Sequence, residues 1–171
     1  MKRRLLVGIL TLVSALAFSA GALATFSVSI GTAPSFSVTL DGADQAPTYT
    51  VPLTVTNTGG TANGGWNLTI TSTQFATGGG PTFPTTASVV TGVAVATCSG
   101  GGCNQPVNAI TYPVSVPAAS TAPVAVKFFN AATNSGKGTV TVTPTVSVAV
   151  PGNSFAGTYS STLTISLVSG P

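Results

Sequence analysis

Apolar and polar residues alternate at period two along most of this chain, the pattern of strands with one buried face. The longest run covers residues 139–150. Val140, Val142, Val146, Val148 and Val150 share one face with Pro144, while Thr139, Thr141, Thr143, Thr145 and Ser147 share the other. A second run, Trp66 to Phe75, opens from Asn63-Gly64-Gly65 and sets Trp66, Leu68 and Ile70 against Asn67, Thr69 and Thr71. An Asn-Gly pair tolerates positive φ, so this stretch predicts a tight turn leading into a strand. Residues 158–168 place Tyr159, Leu163, Ile165 and Leu167 opposite Ser160, Thr162, Thr164 and Ser166. Further strands are predicted over 25–30, 35–40, 48–56, 88–97, 110–116 and 123–129. In the 48–56 strand Tyr49, Val51, Leu53 and Val55 face inward. Pro52 removes a ladder donor there and implies an edge or a bulge. This strand and the Trp66 strand are expected to pair as a hairpin. Turn residues cluster at Asp41–Asp44, Gly78–Pro81, Ala131–Gly138 and Pro151–Asn153. About eight or nine strands with Gly/Pro turns predict an all-β fold, an antiparallel β-sandwich of Ig-like type.

The first residues break the pattern. Lys2, Arg3 and Arg4 precede an apolar run from Leu5 to Phe18, and Ala22-Leu23-Ala24 offers small residues at −3 and −1 of a cleavage site. The run is short against the roughly 20 residues that span a bilayer. Residues 1–24 therefore read as a secretory signal peptide, with Thr25 as the mature N-terminus and 25–171 as one domain. No later segment reads as a transmembrane anchor. Val168-Ser169-Gly170-Pro171 shows no sorting signal with a basic tail. Attachment to a cell is therefore expected to be non-covalent.

Charge narrows the function. The sequence has five Lys+Arg, two Asp+Glu and no His, a net charge of +3. Lys2, Arg3 and Arg4 carry that excess, leaving Lys127 and Lys137 to balance Asp41 and Asp44. No basic cluster remains to neutralise phosphates, which excludes nucleic acid as a partner. Only 4% of residues are charged, so the surface must be built from Thr, Ser, Asn and Gly. Such a surface suits a protein lying against a polymer or against its own neighbours. Without His or Glu there is no group suited to general acid–base work near neutral pH, and no base beside a Ser or Thr nucleophile. Neither catalysis nor a cofactor is expected. Asp41 and Asp44 could be taken for a calcium pair, but two carboxylates without further oxygen ligands fit a capped turn better. Cys98 and Cys103 flank Ser99-Gly100-Gly101-Gly102. In an exported protein they predict one disulfide closing a small loop, worth on the order of 2 kcal/mol. Two thiols cannot by themselves complete a zinc site.

Two stretches together resemble a known family. Leu53-Thr54-Val55-Thr56-Asn57-Thr58 followed by Gly64-Gly65-Trp66-Asn67-Leu68-Thr69-Ile70 is similar to the first Trp-x-Leu motif of the WxL cell-wall-binding domain of Gram-positive surface proteins. Val150-Pro151-Gly152-Asn153-Ser154-Phe155-Ala156-Gly157-Thr158-Tyr159-Ser160-Ser161-Thr162-Leu163-Thr164 resembles that family's C-terminal pattern. The family's second Trp-x-Leu corresponds here to Ile165-Ser166-Leu167, with Leu kept and Trp replaced. The resemblance implies secretion, an all-β fold and non-covalent attachment to peptidoglycan or an associated wall polymer, with Trp66, Leu68 and Leu167 as the binding motif. Other surface proteins, or a second copy, are further candidate partners. For Trp66 two roles stand open. Its phase with Leu68 and Ile70 favours the core, and an exposed indole would stack on sugar. Two other functions compete: a structural subunit assembling through sheet edges that lack protective Lys and Glu, and a Thr array that orders water or ice.

Overall fold

The computed structural model describes residues 26–58 and 65–171, and the backbone of two dipeptide strands, Arg4–Leu5 (β1) and Thr11–Leu12 (β2). Apart from β1 and β2, the expected signal peptide lies outside the described residues, as do its cleavage site and the Asn63-Gly64 turn. Among the described residues there is no helix. The strands continue with β3 (Phe26–Ile30), β4 (Val38–Thr39), β5 (Thr48–Thr50), β6 (Leu53–Asn57) and β7 (Trp66–Thr73). Then come β8 (Ser88–Val95), β9 (Ser99–Asn104), β10 (Val114–Ser115), β11 (Ala118–Ala119), β12 (Val126–Ala131), β13 (Lys137–Val148) and β14 (Thr162–Ser169).

Two sheets pack as a sandwich. The first has seven strands in the order β10-β8-β13-β6-β3, with β5 and β9 also paired to β13. The second has five, in the order β11-β7-β14-β2, with β12 also paired to β7. A separate two-stranded pair joins β1 to β4. Most pairs are antiparallel, but β11–β7 and β14–β2 run parallel, so the five-stranded sheet is mixed. An Ig-like strand order is not established by sheets of seven and five strands.

β13 is the axis of the larger sheet, and its alternation explains why. Every second side chain from Gly138 to Val148 is buried and the intervening ones are half-buried. Val140, Val142, Val146 and Val148 face the core with Pro144, as their phase predicts. The outer row pairs Thr139 with Thr56 and Thr141 with Thr54 on β6, whose own neighbours on β3 are Ser27 and Ser29. Across β13, β6 and β3 this part of the outer face is a row of hydroxyls.

Pro52 and Pro144 together account for the split between β5 and β6. Both strands pair with β13 in one continuous register, Tyr49 opposite Val146 and Leu53 opposite Val142. Between them the Val51 N–H donates to the Pro144 carbonyl at 3.1 Å. Pro144 has no N–H to return that bond. Pro52 turns instead toward β3, near the edge, where its carbonyl accepts from Gly31 at 3.4 Å.

The expected hairpin between the 48–56 strand and the Trp66 strand does not form. β6 pairs with β13 and β3, whereas β7 pairs with β14, β11 and β12 in the other sheet. Both strands carry an apolar face that must be buried. Placing them in opposite layers lets those faces meet across the core, about 10 Å apart.

The core is correspondingly aromatic and β-branched. Phe83 stacks on Tyr159 with ring centroids 4.2 Å apart, and Phe75 lies 5.8 Å from Phe83. A register shift in β12 between Lys127 and Phe129 brings Phe128 and Phe129, adjacent in sequence, both into the interior. An extra residue in a strand changes which face its neighbours present.

Candidate functional site

The residues of the Trp-x-Leu resemblance lie at one place, where β7 begins beside the end of β14. Gly65 has φ +71° and sits so close to the Ala131 carbonyl that a Cβ there would overlap it. Glycine is what lets the chain enter β7 against the end of β12. Trp66 follows and is fully buried. Its ring tilts against Phe129, centroids 5.6 Å apart, and its Nε1–H donates to the Gly136 carbonyl at 2.8 Å. Asn57 Nδ2 donates to the same oxygen at 3.2 Å. Gly136 has φ +72°, and a Cβ on it would run into the indole and into Ala131. Among the described residues Asn57 Oδ1 is buried without a hydrogen-bond partner.

The register of β7 with β14 then brings the two ends of the motif together. Trp66 is opposite Ser169, Leu68 opposite Leu167, and Ile70 opposite Ile165. Leu68 is fully buried, and Leu167 is half-buried against the core. Ile165, standing where the family's second Trp is expected, is 1% exposed. The Gly170 N–H closes the end by donating to the Gly65 carbonyl at 3.1 Å, and Asn67 Nδ2 donates to the Gly170 carbonyl at 2.6 Å. Trp66, Leu68 and Leu167 are thus brought to one locus, with the Trp66 and Leu68 side chains inside it. No titratable side chain takes part, so this locus offers packing and backbone hydrogen bonds.

The other sequence-predicted positions lie elsewhere. Cys98 and Cys103 are disulfide-bonded, with Cα atoms 6.0 Å apart. Ser99 pairs with Thr139 and Asn104 with Lys137, so β9 spends more residues than β13 over the same interval. The surplus Gly100-Gly101-Gly102 is pushed outward, and the disulfide ties the base of that excursion. Gly138, with φ +102°, lies under it, where a Cβ would come 2.7 Å from the Ser99 carbonyl. Gln105 braces the same base, accepting from Cys98 N at 2.9 Å and donating to the Ala96 carbonyl at 2.8 Å. Asp41 caps its own turn by accepting from Ala43 N at 3.0 Å, a bond that holds its carboxyl below the usual range. Asp44 accepts from Gly152 N at 2.7 Å and ties the turn to the segment after β13. Burial pushes the phenol of Tyr49 well above its ordinary value, and Tyr112 and Tyr159 move the same way.

Sequence reading missed two features. One is the Gly136 carbonyl that receives the indole. A glycine in a predicted polar turn signals positive φ, but nothing in the pattern says which side chain it will meet. The other is Phe155, which is 70% exposed, against the burial usual for a large aromatic. Its place outside any alternating run was the available signal.

Residues 8–171 match the family model described as WxL domain, surface cell wall-binding. No curated protein and no solved structure matches the chain. The match spans nearly all of the sequence, and the chain belongs to this family of non-catalytic modules that bind the cell wall at the bacterial surface.

Proposed function

From a WxL chain that associates non-covalently with the cell wall, we propose a more specific reading. The protein is exported by cleavage after Ala24, catalyses no reaction, and holds to the uncharged glycan of peptidoglycan in preference to an anionic wall polymer. The observation that carries this is the charge inventory beyond the signal segment, Lys127 and Lys137 against Asp41 and Asp44. A polyphosphate chain is held by clustered Lys and Arg. Two lysines on different strands make no such cluster, whereas hydroxyls suit a polymer of hydroxyl and amide groups.

Within this reading the Trp66, Leu68 and Leu167 motif acts as the joint between β7, β12 and β14. Burial of Trp66, with its one N–H spent on a backbone carbonyl, supports that role. The polymer is met elsewhere on the surface.

The test is sedimentation of the purified mature protein with isolated walls, before and after hydrofluoric acid removes phosphodiester-linked polymers. Undiminished binding to stripped walls is expected. Binding that disappears with the anionic polymer would overturn the reading. Intact mass of the exported protein checks the cleavage, with Thr25 expected as the first residue.

A further inference from the structure

We infer that Phe155 is a sugar-stacking platform through which this domain grips the glycan strand, an assignment that rests on the peptidoglycan reading above. Four described residues are exposed large hydrophobics, Val107, Val124, Phe155 and Val168, and Phe155 is the one aromatic among them. An aromatic face is the group that best complements the C–H face of a pyranose ring, because it offers a flat, polarisable surface without needing charge. Trp66 is spent on the core and cannot serve.

The backbone beneath Phe155 is held as a site requires. At one end of its segment Val150 and Gln45 exchange two backbone hydrogen bonds of 2.8 and 2.9 Å. At the other, Ser160 and Ala76 exchange two of 2.9 and 3.0 Å. Between them Ser154 N donates to the Pro151 carbonyl at 2.9 Å, and Gly152 N donates to Asp44 Oδ1. The Tyr159 hydroxyl donates to the carbonyl of Phe155 itself at 3.2 Å. Tyr159 is 1% exposed and its ring is stacked on Phe83, so the group that fixes Phe155 is anchored in the core. A loose loop could fold an exposed ring back onto the protein. A loop clamped at both ends and pinned in the middle presents it, and ordering its backbone in advance lowers the entropic cost of binding.

The surroundings suit a neutral sugar. A Cβ built on Gly157 would come 3.5 Å from the Thr77 methyl, and the turn after Thr77 runs through the exposed Gly78, Gly79 and Gly80. Asn153, also exposed, lies two residues from the ring in sequence, with an amide able to meet sugar hydroxyls.

The experiment compares wild type, Phe155→Ala and Phe155→Trp on walls stripped with hydrofluoric acid and on a soluble tetramer of β-1,4-linked N-acetylglucosamine, with a thermal melt of each. Phe155→Ala is expected to melt like wild type and to bind stripped walls about tenfold more weakly or worse, the loss usual for an anchoring aromatic. Phe155→Trp is expected to retain binding, and its exposed indole to shift its emission when the tetramer is added. If wild type binds stripped walls and Phe155→Ala binds them equally well, the platform is refuted and the peptidoglycan reading stands. If wild type fails on stripped walls, both fall. A concentration-dependent mass that Phe155→Ala abolishes while wall binding persists would assign the ring to contact between copies and overturn the platform.

Discussion

Replacing Trp66 by Ala asks whether the signature residue of this chain is structural. The side chain is fully buried between β7 and β12 beside Phe129. Truncating a buried Trp to Ala costs about 3–5 kcal/mol, from lost transfer energy and the cavity left behind. The lost hydrogen bond adds little, because the Gly136 carbonyl keeps Asn57 Nδ2 as a donor. Packing therefore sets the magnitude. For a domain of this size it corresponds to a fall in Tm of roughly 6–20 °C. Melts should be followed by circular dichroism, since the variant lacks the protein's one Trp. In wild type that Trp gives a second reading: a buried indole resists quenching by iodide. Trp66→Phe keeps a ring against Phe129 and should lose about half as much or less. Wall sedimentation should fall only in step with the folded fraction. A Trp66→Ala protein that melts within a degree of wild type yet no longer sediments with walls would refute the reasoning and make the indole a contact group.

Reducing the Cys98–Cys103 disulfide should cost on the order of 2 kcal/mol and leave the fold intact. The bond ties only the base of the Gly100–Gly102 excursion, so a cooperative collapse in reductant would contradict that local role. Stability should fall as pH rises past about 10. There the unfolded chain's tyrosines lose protons while the folded Tyr49, with its raised value, keeps its own, so the unfolded state binds fewer protons. Tyr49→Phe should flatten that fall in a pH series of urea melts, and an unchanged slope would count against it. Ile165→Trp, which restores the second Trp of the family motif, should destabilise by about 1–3 kcal/mol through overpacking opposite Ile70. It should add nothing to wall affinity, and a gain in affinity at unchanged stability would argue that this position faces the polymer.

The legible part of the fold is the part set by period two. β13 is flanked along its length by β8 and β9 on one side and β5 and β6 on the other, so its valines all face one interior, and the sequence says so directly. The same holds for Trp66, Leu68 and Ile70. Alternation names the face of a strand, however, and not its neighbours. Hence β6 and β7 read as a hairpin although they belong to different sheets. The adjacent burial of Phe128 and Phe129 depends on a register shift that no alternation announces. The Cys98–Cys103 pair was legible from spacing, while the pairing of its flanks with β13 depends on a strand far along the chain. At the motif, Trp66 was legible as core, and the Gly136 carbonyl that receives its N–H was not, because that contact joins positions 70 residues apart.

Burial of the motif also changes what its missing half means. Trp66 and Ile165 stand on neighbouring strands, separated along the β7–β14 ladder by the Leu68–Leu167 pair, and both are enclosed. An Ile in place of the second Trp alters the filling of that core, not the surface offered to the wall. Binding then rests on groups outside the core, and charge limits what those groups can do. Lys127, Lys137, Asp41 and Asp44 are the charged side chains beyond residue 24. Asp41 and Asp44 are each engaged with backbone N–H groups of their own protein. Attraction through ions would weaken as the Debye length shrinks from about 10 Å at 0.1 M salt to about 3 Å at 1 M. Contact through hydroxyls and a ring should hold across that range, and burial of apolar surface would strengthen in a salting-out anion such as sulfate. Wall sedimentation measured from 0.05 to 1 M sodium chloride, and again in sodium sulfate, is therefore expected to stay level in the first series and rise in the second. A steep loss in sodium chloride would mean that the lysines carry the attachment, and the neutral glycan would have to yield to an anionic polymer.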